Sequence, residues 1–327
     1  MRWSAVVLGA VIALAVACAG HADKGYQATA DTAPAPFPFE PRHIIVPAPE
    51  TPPEPGTGAA SGGCGLVVQP GDASLTLETA EGQRSFRVHL PPRHNPGRAS
   101  PLVLNFHGYS RDAMEQETYS GLLPLADTEG FILVTPDGAG YPLQWNVVDV
   151  YGDSGVDDVA FTVQLVDHLA GKFCVDLRRV YATGISNGGE MAAQVGCLWP
   201  GVFAAVAPVA GVVYQGCQGR AMPVVSFHGT WDYNVPFETA PPAMAEWARH
   251  NSCAGDLEIA RISESVTRES YSGCSGADVV LYVIDGGGHT WPDAEDESGG
   301  VGPTTHEINA NRLIWEFFRS HPMPSPD

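Results

Sequence analysis

Short β-branched and apolar runs alternate with helix-length segments from about residue 64 onward. The runs that predict strands are Leu75–Thr79, Ser85–His89, Leu102–Phe106, Phe131–Thr135, Val180–Thr183, Phe203–Val209, Val224–Phe227 and Val279–Ile284. Apolar residues three and four apart predict helices, most clearly at Val156–Gly171, Asn187–Leu198, Pro242–His250 and Thr305–Arg319. This alternation is typical of an α/β fold, with helices on both faces of a mainly parallel sheet of about eight strands.

The first 62 residues follow a different pattern. Arg2 precedes an apolar run from Ala5 to Ala17, which predicts an export signal over residues 1–18 and is short for a membrane span. Residues 19–62 are rich in Pro, Ala, Thr and Gly, a composition that favours an extended flexible tether over a packed core. We therefore expect a signal, a tether and one folded domain over residues 63–327.

The predicted signal can end in two ways. The segment from Leu14 to Cys18 resembles the processing box of a bacterial lipoprotein, whereas Ala15, Val16 and Ala17 also fit ordinary cleavage after small residues. Cysteine parity favours a lipid on Cys18, because it would leave six of the seven cysteines to pair in an oxidising compartment. We expect an exported protein, extracellular or anchored at the cell surface or in the periplasm, with that lipid as its only link to a membrane.

The cysteines outside the signal predict disulfides rather than a zinc site, since no C-x-x-C pair occurs and histidines at metal-ligand spacing are lacking. Cys253 and Cys274 flank a short excursion between a helix and a strand, which makes them the preferred pair. The others are Cys64, Cys174, Cys197 and Cys217. These four can pair in three ways, among which the sequence does not decide.

The overall composition narrows the class of ligand. With 44% hydrophobic and 17% charged residues, the chain can bury a full core. Its formal net charge of -20 opposes the approach of nucleic acid or of an anionic membrane surface. We expect a monomer that needs no metal or cofactor and acts on a neutral substrate.

A candidate nucleophile follows one of the predicted strands. Residues 184–188 have the sequence G-I-S-N-G and precede a predicted helix, a context typical of the nucleophile elbow of α/β-hydrolases. A serine on so sharp a turn has a strained backbone, and the residues two positions away must lack Cβ atoms so that strand and helix can approach. Ser186 is therefore the predicted nucleophile.

The order of residues along the chain selects a base and an acid. In such a fold the serine is followed by Asp or Glu and then by His, on loops beyond late strands. His289 fits, directly after the strand Val279–Ile284 in a glycine-rich loop, and Asp232 fits, just past the preceding strand. The rejected histidines are His107, His228, His250, His306 and His321, and the weaker acid candidates are Glu238 and Glu246.

A tetrahedral oxyanion needs two preorganised backbone N–H donors. Asn187 is one candidate because it follows the nucleophile, and Tyr109 is the other because Gly108 lets the chain turn tightly after the strand Leu102–Phe106. We expect His107 to brace this loop rather than to take part in catalysis.

Three further motifs favour structural explanations. Asp157 and Asp158 open a predicted helix, where carboxylates cap unpaired N–H groups. The acidic loop at residues 293–297 lacks a calcium-ligand spacing and is predicted to be solvated. The sequence G-D-S-G at 152–155 resembles the serine segment of chymotrypsin-type proteases, but a helix follows at once and strands alternate with helices, which excludes that fold.

Several motifs are together more specific than the pentapeptide. They are N-F-H-G at 105–108, V-D-D-V at 156–159, V-Y-A-T-G-I-S-N-G-G at 180–189, F-A-A-V-A-P-V-A-G at 203–211, H-G-T-W-D at 228–232 and G-G-G-H-T-W-P at 286–292. Over roughly residues 64–318 the chain resembles the secreted polyhydroxybutyrate depolymerase and feruloyl esterase group of α/β-hydrolases, and is similar also to acetylxylan esterases. The resemblance implies an α/β-hydrolase fold and places the family's triad on Ser186, Asp232 and His289. Trp231 and Tyr233 depart from the smaller residues common there.

The resemblance implies hydrolysis of feruloyl or acetyl esters of plant polysaccharide fragments through an acyl-enzyme. Candidates to line an aromatic cleft for such a substrate are Tyr109, Trp231, Tyr233 and Trp291. The segment between Val209 and Val224 is too short for a large lid. A short-chain polyhydroxyalkanoate depolymerase is the alternative, and a catalytically inactive glycan-binding surface lipoprotein with the same fold is a third hypothesis.

Overall fold

The computed structural model of the protein describes residues 60–147, 155–217 and 219–324. Within them, the chain forms a ten-stranded sheet with a hydrophobic core on each face. The predicted signal, Cys18, nearly all of the predicted tether and residues 152–154 of the protease-like motif lie outside the described residues. The predictions for these segments therefore stay predictions.

The sheet has a parallel centre and antiparallel edges. Its strands are β1 (Gly71–Thr79), β2 (Gly82–Leu90), β3 (Ser100–Phe106), β4 (Ile132–Pro136), β5 (Val175–Ile185), β6 (Ala205–Val209), β7 (Val224–Gly229), β8 (Leu257–Arg261), β9 (Val266–Tyr271) and β10 (Val279–Ile284). They lie in the order β1-β2-β4-β3-β5-β6-β7-β10-β9-β8. Neighbours from β4 to β10 pair in parallel, and the two outer strands at each end pair antiparallel. The predicted mainly parallel sheet is confirmed.

The strand count differs from the prediction. All eight predicted strands are present, but β8 and β9 add a hairpin at one edge of the sheet. Every residue of β8 is exposed, so this strand buries no apolar side chain against a core. Pairing with β9, rather than burial, holds this edge strand in place.

Helices connect the strands. They are α1 (Ala113–Ser120), α2 (Leu123–Glu129), α3 (Asp158–Ala170), α4 (Asn187–Leu198), α5 (Ala240–His250) and α6 (Ala310–Ser320). The four clearest predicted helices correspond to α3 through α6. The last begins later than predicted because the side chain of Asn309 accepts the backbone N–H of Arg312 and caps the helix there. None of the helices in the described ranges has the length and apolar character needed to cross a membrane.

Successive residues of β3 face the two cores in turn. Leu102, Leu104 and Phe106 pack with residues of α3, α4 and α5, whereas Val103 packs with residues of α1, α2 and α6. Helices therefore cover both faces, as the sequence pattern predicts. The described residues between β6 and β7 form no helix or strand, in agreement with the prediction of no large lid.

Four loops that carry candidate functional residues leave the same edge of the sheet. Parallel strands end together, and ligands of open α/β sheets bind beyond their carboxyl ends. Loops at this edge follow β3, β5, β7 and β10, and they contain Tyr109, Ser186, Asp232 and His289 respectively. The sheet thus brings together residues separated by up to 180 positions in sequence, on the order of half of the chain.

Six cysteines form three disulfides. The preferred pair, Cys253 with Cys274, is confirmed, and it closes the base of the β8–β9 hairpin. The pairs that the sequence left open are Cys64 with Cys174 and Cys197 with Cys217. Pairing of all six is typical of proteins that fold in an oxidising compartment.

Replacing both Cys64 and Cys174 by Ser is expected to lower the free energy of unfolding by about 4–5 kcal/mol, because this bridge closes a separation of 110 residues in the unfolded chain. The matched change at Cys253 and Cys274 opens a separation of only 21 residues and is expected to cost about 3 kcal/mol. Urea denaturation of the two variants measures both losses. A larger loss for the shorter bridge would contradict the prediction.

Candidate active site

Ser186 lies at the turn between β5 and α4. Its backbone has φ 57° and ψ -127°, a region that residues with a side chain rarely adopt. Its N–H donates to the carbonyl of Val209 on β6 at 2.9 Å, and its carbonyl accepts the N–H of Glu190 on α4 at 2.9 Å. These bonds hold the strained residue between strand and helix.

Glycines surround this turn because backbone atoms occupy the space that a Cβ would need. A Cβ on Gly184 would lie 2.5 Å from the carbonyl oxygen of Phe106, and one on Gly188 would lie 2.2 Å from the same oxygen. A Cβ on Gly211 would lie 2.2 Å from the carbonyl oxygen of Ser186. The steric requirement predicted for the pentapeptide glycines is therefore present, and Gly211 adds to it.

Asp232 and His289 form a direct contact on loops that follow β7 and β10. His289 Nδ1 lies 2.7 Å from Asp232 Oδ2, and both residues are buried. Asp232 Oδ1 accepts the backbone N–H groups of Asn234 and Val235, each at 2.9 Å. Because a carboxylate oxygen accepts hydrogen bonds, His289 Nδ1 is the donor in this contact, and Nε2 is the ring nitrogen that remains available as an acceptor in the neutral tautomer.

A second histidine touches the same carboxylate. His228 Nε2 lies 2.8 Å from the carbonyl oxygen of Val235 and 3.4 Å from Asp232 Oδ2. Nε2 therefore donates, while Nδ1 is buried without a hydrogen-bond partner. Burial lowers the pKa of His228, which favours the neutral ring. A neutral His228 does not form an ion pair with Asp232, so His289 is the histidine that can pair with its negative charge.

The loops of Asp232 and His289 are joined at their bases. Thr230 N–H donates to the carbonyl of Ile284 at 2.9 Å, and Trp231 N–H donates to the carbonyl of Gly287 at 2.8 Å. A Cβ on Gly229 would lie 2.1 Å from the Gly287 oxygen, so only glycine permits this approach. The two side chains that must meet are therefore fixed by backbone contacts below them.

Residues 296–303, which we call the strap, cross beside the His289 loop. His289 N–H donates to the carbonyl of Val301 at 2.8 Å, and Val301 N–H donates back to the carbonyl of His289 at 2.9 Å. Gly288 N–H donates to the carbonyl of Pro303 at 2.8 Å. Backbone hydrogen bonds to the strap thus add to the contacts that hold His289 in place.

Tyr119 on α1 supports both the strap and the His289 loop. Its hydroxyl accepts the N–H of Trp291 at 2.8 Å. A Cβ on Gly299 would lie 2.3 Å from its ring and one on Gly300 would lie 2.5 Å from its hydroxyl, so the strap packs closely on the ring. Burial raises the pKa of Tyr119 to about 12, which keeps the hydroxyl protonated.

Ser186 and His289 line one cavity, of about 820 Å³. Tyr109 and Tyr233 also line it, and they are 44% and 86% exposed. Charged walls come from Arg111, Asp112, Glu115 and Asp296. The cavity therefore combines a serine and a histidine at its base with exposed aromatic rings at its mouth.

Two of the predicted aromatic contacts are absent from this cavity, which is formed wholly by described residues. Trp291 is fully buried, and its indole N–H donates to Asn311 Oδ1 at 2.9 Å. Trp291 does not line this cavity, because its ring belongs to the core beneath the His289 loop. Trp231 is 55% exposed and does not line this cavity.

The residues predicted to supply oxyanion donors lie beside Ser186. Asn187 is the first residue of α4, so its backbone N–H has no acceptor within the helix. A Cβ on Gly108 would lie 3.5 Å from Ser186 Cβ, and Tyr109 follows it along the cavity wall. The loop after β3 and the start of α4 therefore flank the serine.

His107 braces the loop after β3, as predicted. Its Nε2 accepts the N–H of Gly138 at 2.8 Å, so Nδ1 carries the proton and donates to the carbonyl of Gly108 at 2.7 Å. The ring is fully buried, and this burial lowers its pKa. His107 does not line the cavity.

The remaining acidic motifs have structural partners. Asp157 caps α3 by accepting the N–H of Ala160, as predicted, whereas Asp158 is buried and pairs with Arg84 at 2.6 Å. In the acidic loop, Asp293 and Glu297 each lie 3.1 Å from a ring nitrogen of exposed His306. No group of three His, Cys, Asp or Glu side chains able to hold a metal ion occurs among the described residues.

Sequence reasoning missed three residues that support the site: His228, Tyr119 and Val301. His228 was excluded as the base by its position in the chain, and nothing in the sequence signals its contact with Asp232. Tyr119 and Trp291 are 172 residues apart, and the strap has no motif of its own. Such contacts depend on the assembled sheet and leave no local pattern.

Comparison with known proteins identifies a family and several relatives that are esterases. The family model described as Esterase PHB depolymerase matches residues 84–251. Feruloyl esterase B of Piromyces equi is 33% identical over 74% of this chain and 46% of that protein, so the chain spans less than half of that relative's length. Feruloyl esterase D of Neurospora crassa is 28% identical over 80% of this chain and 90% of its own.

A solved structure extends the likeness to the fold. An acetyl xylan esterase from Aspergillus awamori superposes with a TM-score of 0.59 at 15% identity, over 72% of this chain and 94% of that one. The fold is that of the α/β-hydrolase esterases. The chain belongs to the Esterase PHB depolymerase family, which confirms the resemblance drawn from its motifs.

Gly188→Ala is expected to lower kcat/KM for a p-nitrophenyl ester by about 100-fold, because the new Cβ must push α4 away from the loop after β3 and displace reacting groups by a fraction of an ångström. Gly62→Ala is the matched control, since no atom lies within 4 Å of its Cβ position. Circular dichroism establishes that both variants fold. Wild-type activity in folded Gly188→Ala would show that this close approach does not matter for turnover.

Proposed function

We propose that the protein is an exported serine carboxylesterase in which Ser186 is the nucleophile, His289 the general base and Asp232 the acid that orients the histidine. The observation that carries the proposal is the 2.7 Å contact between His289 Nδ1 and Asp232 Oδ2, on a histidine that shares a cavity with Ser186. The strained backbone of Ser186 at the start of α4 supports the same assignment.

The proposed reaction passes through an acyl-enzyme. His289 Nε2 takes the hydroxyl proton of Ser186 as the serine oxygen bonds to the ester carbonyl carbon. The tetrahedral intermediate collapses, the bond to the leaving alcohol breaks, and the imidazolium returns the proton to that alcohol. Water then attacks the acyl group, again giving a proton to His289, and the acid leaves as the Ser186 hydroxyl is restored.

Two sets of groups lower the barrier in this proposal. Asp232 fixes Nδ1 as the protonated nitrogen and stabilises the imidazolium that forms at each step. The backbone N–H groups of Asn187 and Tyr109 stabilise the oxyanion, and such a donor is worth about 10²–10³-fold in kcat. No metal or cofactor is needed for these steps.

We propose feruloyl or acetyl esters of plant polysaccharide fragments as substrates. Relatives of the chain are named feruloyl esterases, and a structural neighbour is an acetyl xylan esterase. The exposed rings of Tyr109 and Tyr233 at the cavity mouth suit a phenolic acyl group or a sugar. The net charge of -20 favours neutral substrates over anionic ones.

The alternative substrate is a short-chain polyhydroxyalkanoate. The description of the matching family model, Esterase PHB depolymerase, favours it. The same triad would cleave either ester, since both need an acyl-enzyme and an oxyanion site. The difference between them lies at the rim of the cavity.

We propose that the chain is exported and consists of a signal, a tether and one catalytic domain. Three disulfides are typical of proteins exported to an oxidising compartment. Residues 1–18 would direct export, with a lipid on Cys18 in the lipoprotein variant, and residues 19–62 would act as a tether. Residues 63–327 would then form the catalytic domain, acting as a monomer.

Ser186→Ala is expected to abolish turnover of a p-nitrophenyl ester while leaving the melting temperature within about 2 °C, because it removes the attacking oxygen and only one partly buried polar atom. Labelling of the wild-type protein by a fluorophosphonate at Ser186, and its loss in the variant, tests the nucleophile directly. Absence of labelling in folded wild-type protein would favour an inactive glycan-binding protein. Ester turnover by the variant would reject the triad.

Methyl ferulate and acetylated xylo-oligosaccharides are expected to be hydrolysed with a kcat/KM about 10-fold or more above that of hydroxybutyrate oligomers, the size of discrimination that pocket contacts supply. Tyr233→Ala is expected to raise KM for methyl ferulate, because it removes a ring from the cavity mouth. Tyr141→Ala is the control, since Tyr141 is fully exposed and lies outside the cavity lining. A preference for hydroxybutyrate oligomers would establish the alternative.

A further inference from the structure

A fully buried network connects the turn at Ser186 with the loop after β3. Its members are Trp145, Asn187 and His107, each with no exposed surface. None of the three side chains reaches the cavity. The network lies behind the two segments that flank the serine, and the proposed mechanism above makes no use of it.

The carboxamide of Asn187 holds the backbone of Trp145 at both of its polar groups. Asn187 Oδ1 accepts the N–H of Trp145 at 2.7 Å, and Asn187 Nδ2 donates to the carbonyl of Trp145 at 3.1 Å. The same side chain also hydrogen-bonds the buried carboxyl group of Glu190, one turn further along α4. Asn187 thus fixes Trp145 against the residue that directly follows the nucleophile.

The indole of Trp145 continues the connection to the loop after β3. Trp145 Nε1 donates to the carbonyl of His107 at 2.9 Å, and the indole packs against the rings of Phe106 and His107, with centroids 5.0 Å away in each case. The imidazole of His107 in turn bonds the carbonyl of Gly108 at 2.7 Å. A chain of contacts therefore connects Asn187, through Trp145 and His107, to Gly108, the residue before Tyr109.

We infer that Asn187 and Trp145 are positioning residues that set the distance between the two oxyanion donors. Asn187 would supply one donor through its backbone N–H and would place the loop of the second through its carboxamide and the Trp145 indole. This inference rests on the proposed function, since it assigns a task to the oxyanion site of the same reaction. Neither side chain touches the substrate.

A positioning role predicts an effect on catalysis that a purely stabilising role does not. An oxyanion donor is effective only when it lies about 2.7–3.1 Å from the oxygen that becomes charged. A loop held by hydrogen bonds to a side chain of the neighbouring donor keeps that spacing even when the loop surface moves. Loss of the network should therefore affect the transition state more than the bound ester.

Trp145→Phe is the first test, because it removes the indole donor to His107 and keeps an aromatic ring in the core. We expect kcat to fall about 10-fold with KM within about twofold, less than the ~10²–10³-fold that removal of a whole donor costs. The affinity for a trifluoromethyl ketone, whose serine adduct carries an oxyanion, should fall by the same factor as kcat/KM.

Trp247→Phe is the matched control. Trp247 is also fully buried, and its Nε1 donates to a backbone carbonyl, that of Val213, at the same distance of 2.9 Å. It should lose comparable stability but keep the wild-type kcat and the wild-type affinity for the ketone. If Trp145→Phe and Trp247→Phe have equal kcat, the network is merely structural and the inference is overturned.

Asn187→Ala provides a second variant in case Trp145→Phe does not fold. It removes the carboxamide but keeps the backbone N–H of residue 187, so a fall in kcat reports the side chain and not the donor. If the two side chains act as one connection, the double variant should lose little more than the worse single variant. Fully additive losses would overturn the inference, whereas activity of Ser186→Ala would instead reject the proposed function.

Discussion

The left-handed backbone of Ser186 is the constraint on which the rest of the site depends. Such a conformation costs roughly 1–3 kcal/mol and persists only where its surroundings over-determine it. Here Val209 and Glu190 hold the residue by hydrogen bonds, and β3 packs so closely that Gly184 and Gly188 have no room for side chains. Hydrogen bonds and close packing at the centre of the sheet therefore offset the strain.

The buried carboxylate of Asp232 sets the electrostatics around His289. An ionised group is costly to bury unless hydrogen bonds satisfy it, and Asp232 receives two from backbone amides and one from His289. His228 lies against the same oxygen, but burial lowers its pKa and its proton goes to Val235. A neutral His228 carries no positive charge. An imidazolium formed on His289 would therefore not compete with a second cation for the negative charge of Asp232.

The sequence predicts the features of this fold that have local signals. Alternating strands and helices indicate the parallel sheet, and the order of Ser186, Asp232 and His289 follows from a strand–turn–helix motif and two late loops. The β8–β9 hairpin is not predicted because β8 is short and buries none of its five residues, so it adds no apolar run to the sequence. The motif around Trp291 places this residue near His289 but does not indicate which way its ring points. In the structure, packing turns the ring into the core.

The base and the rim of the cavity differ in how firmly they are held. Backbone hydrogen bonds hold Ser186, Asp232 and His289 just beyond the ends of strands, so moving these backbone segments would disturb the sheet itself. Tyr109 and Tyr233 instead lie on loops that line the cavity, and their side chains are 44% and 86% exposed. Substitution at the rim can alter which acyl or alcohol group fits without touching the strained serine. In the proposed enzyme, substrate preference is therefore set by the exposed rings around the cavity, whereas the chemistry is set by the residues at its base.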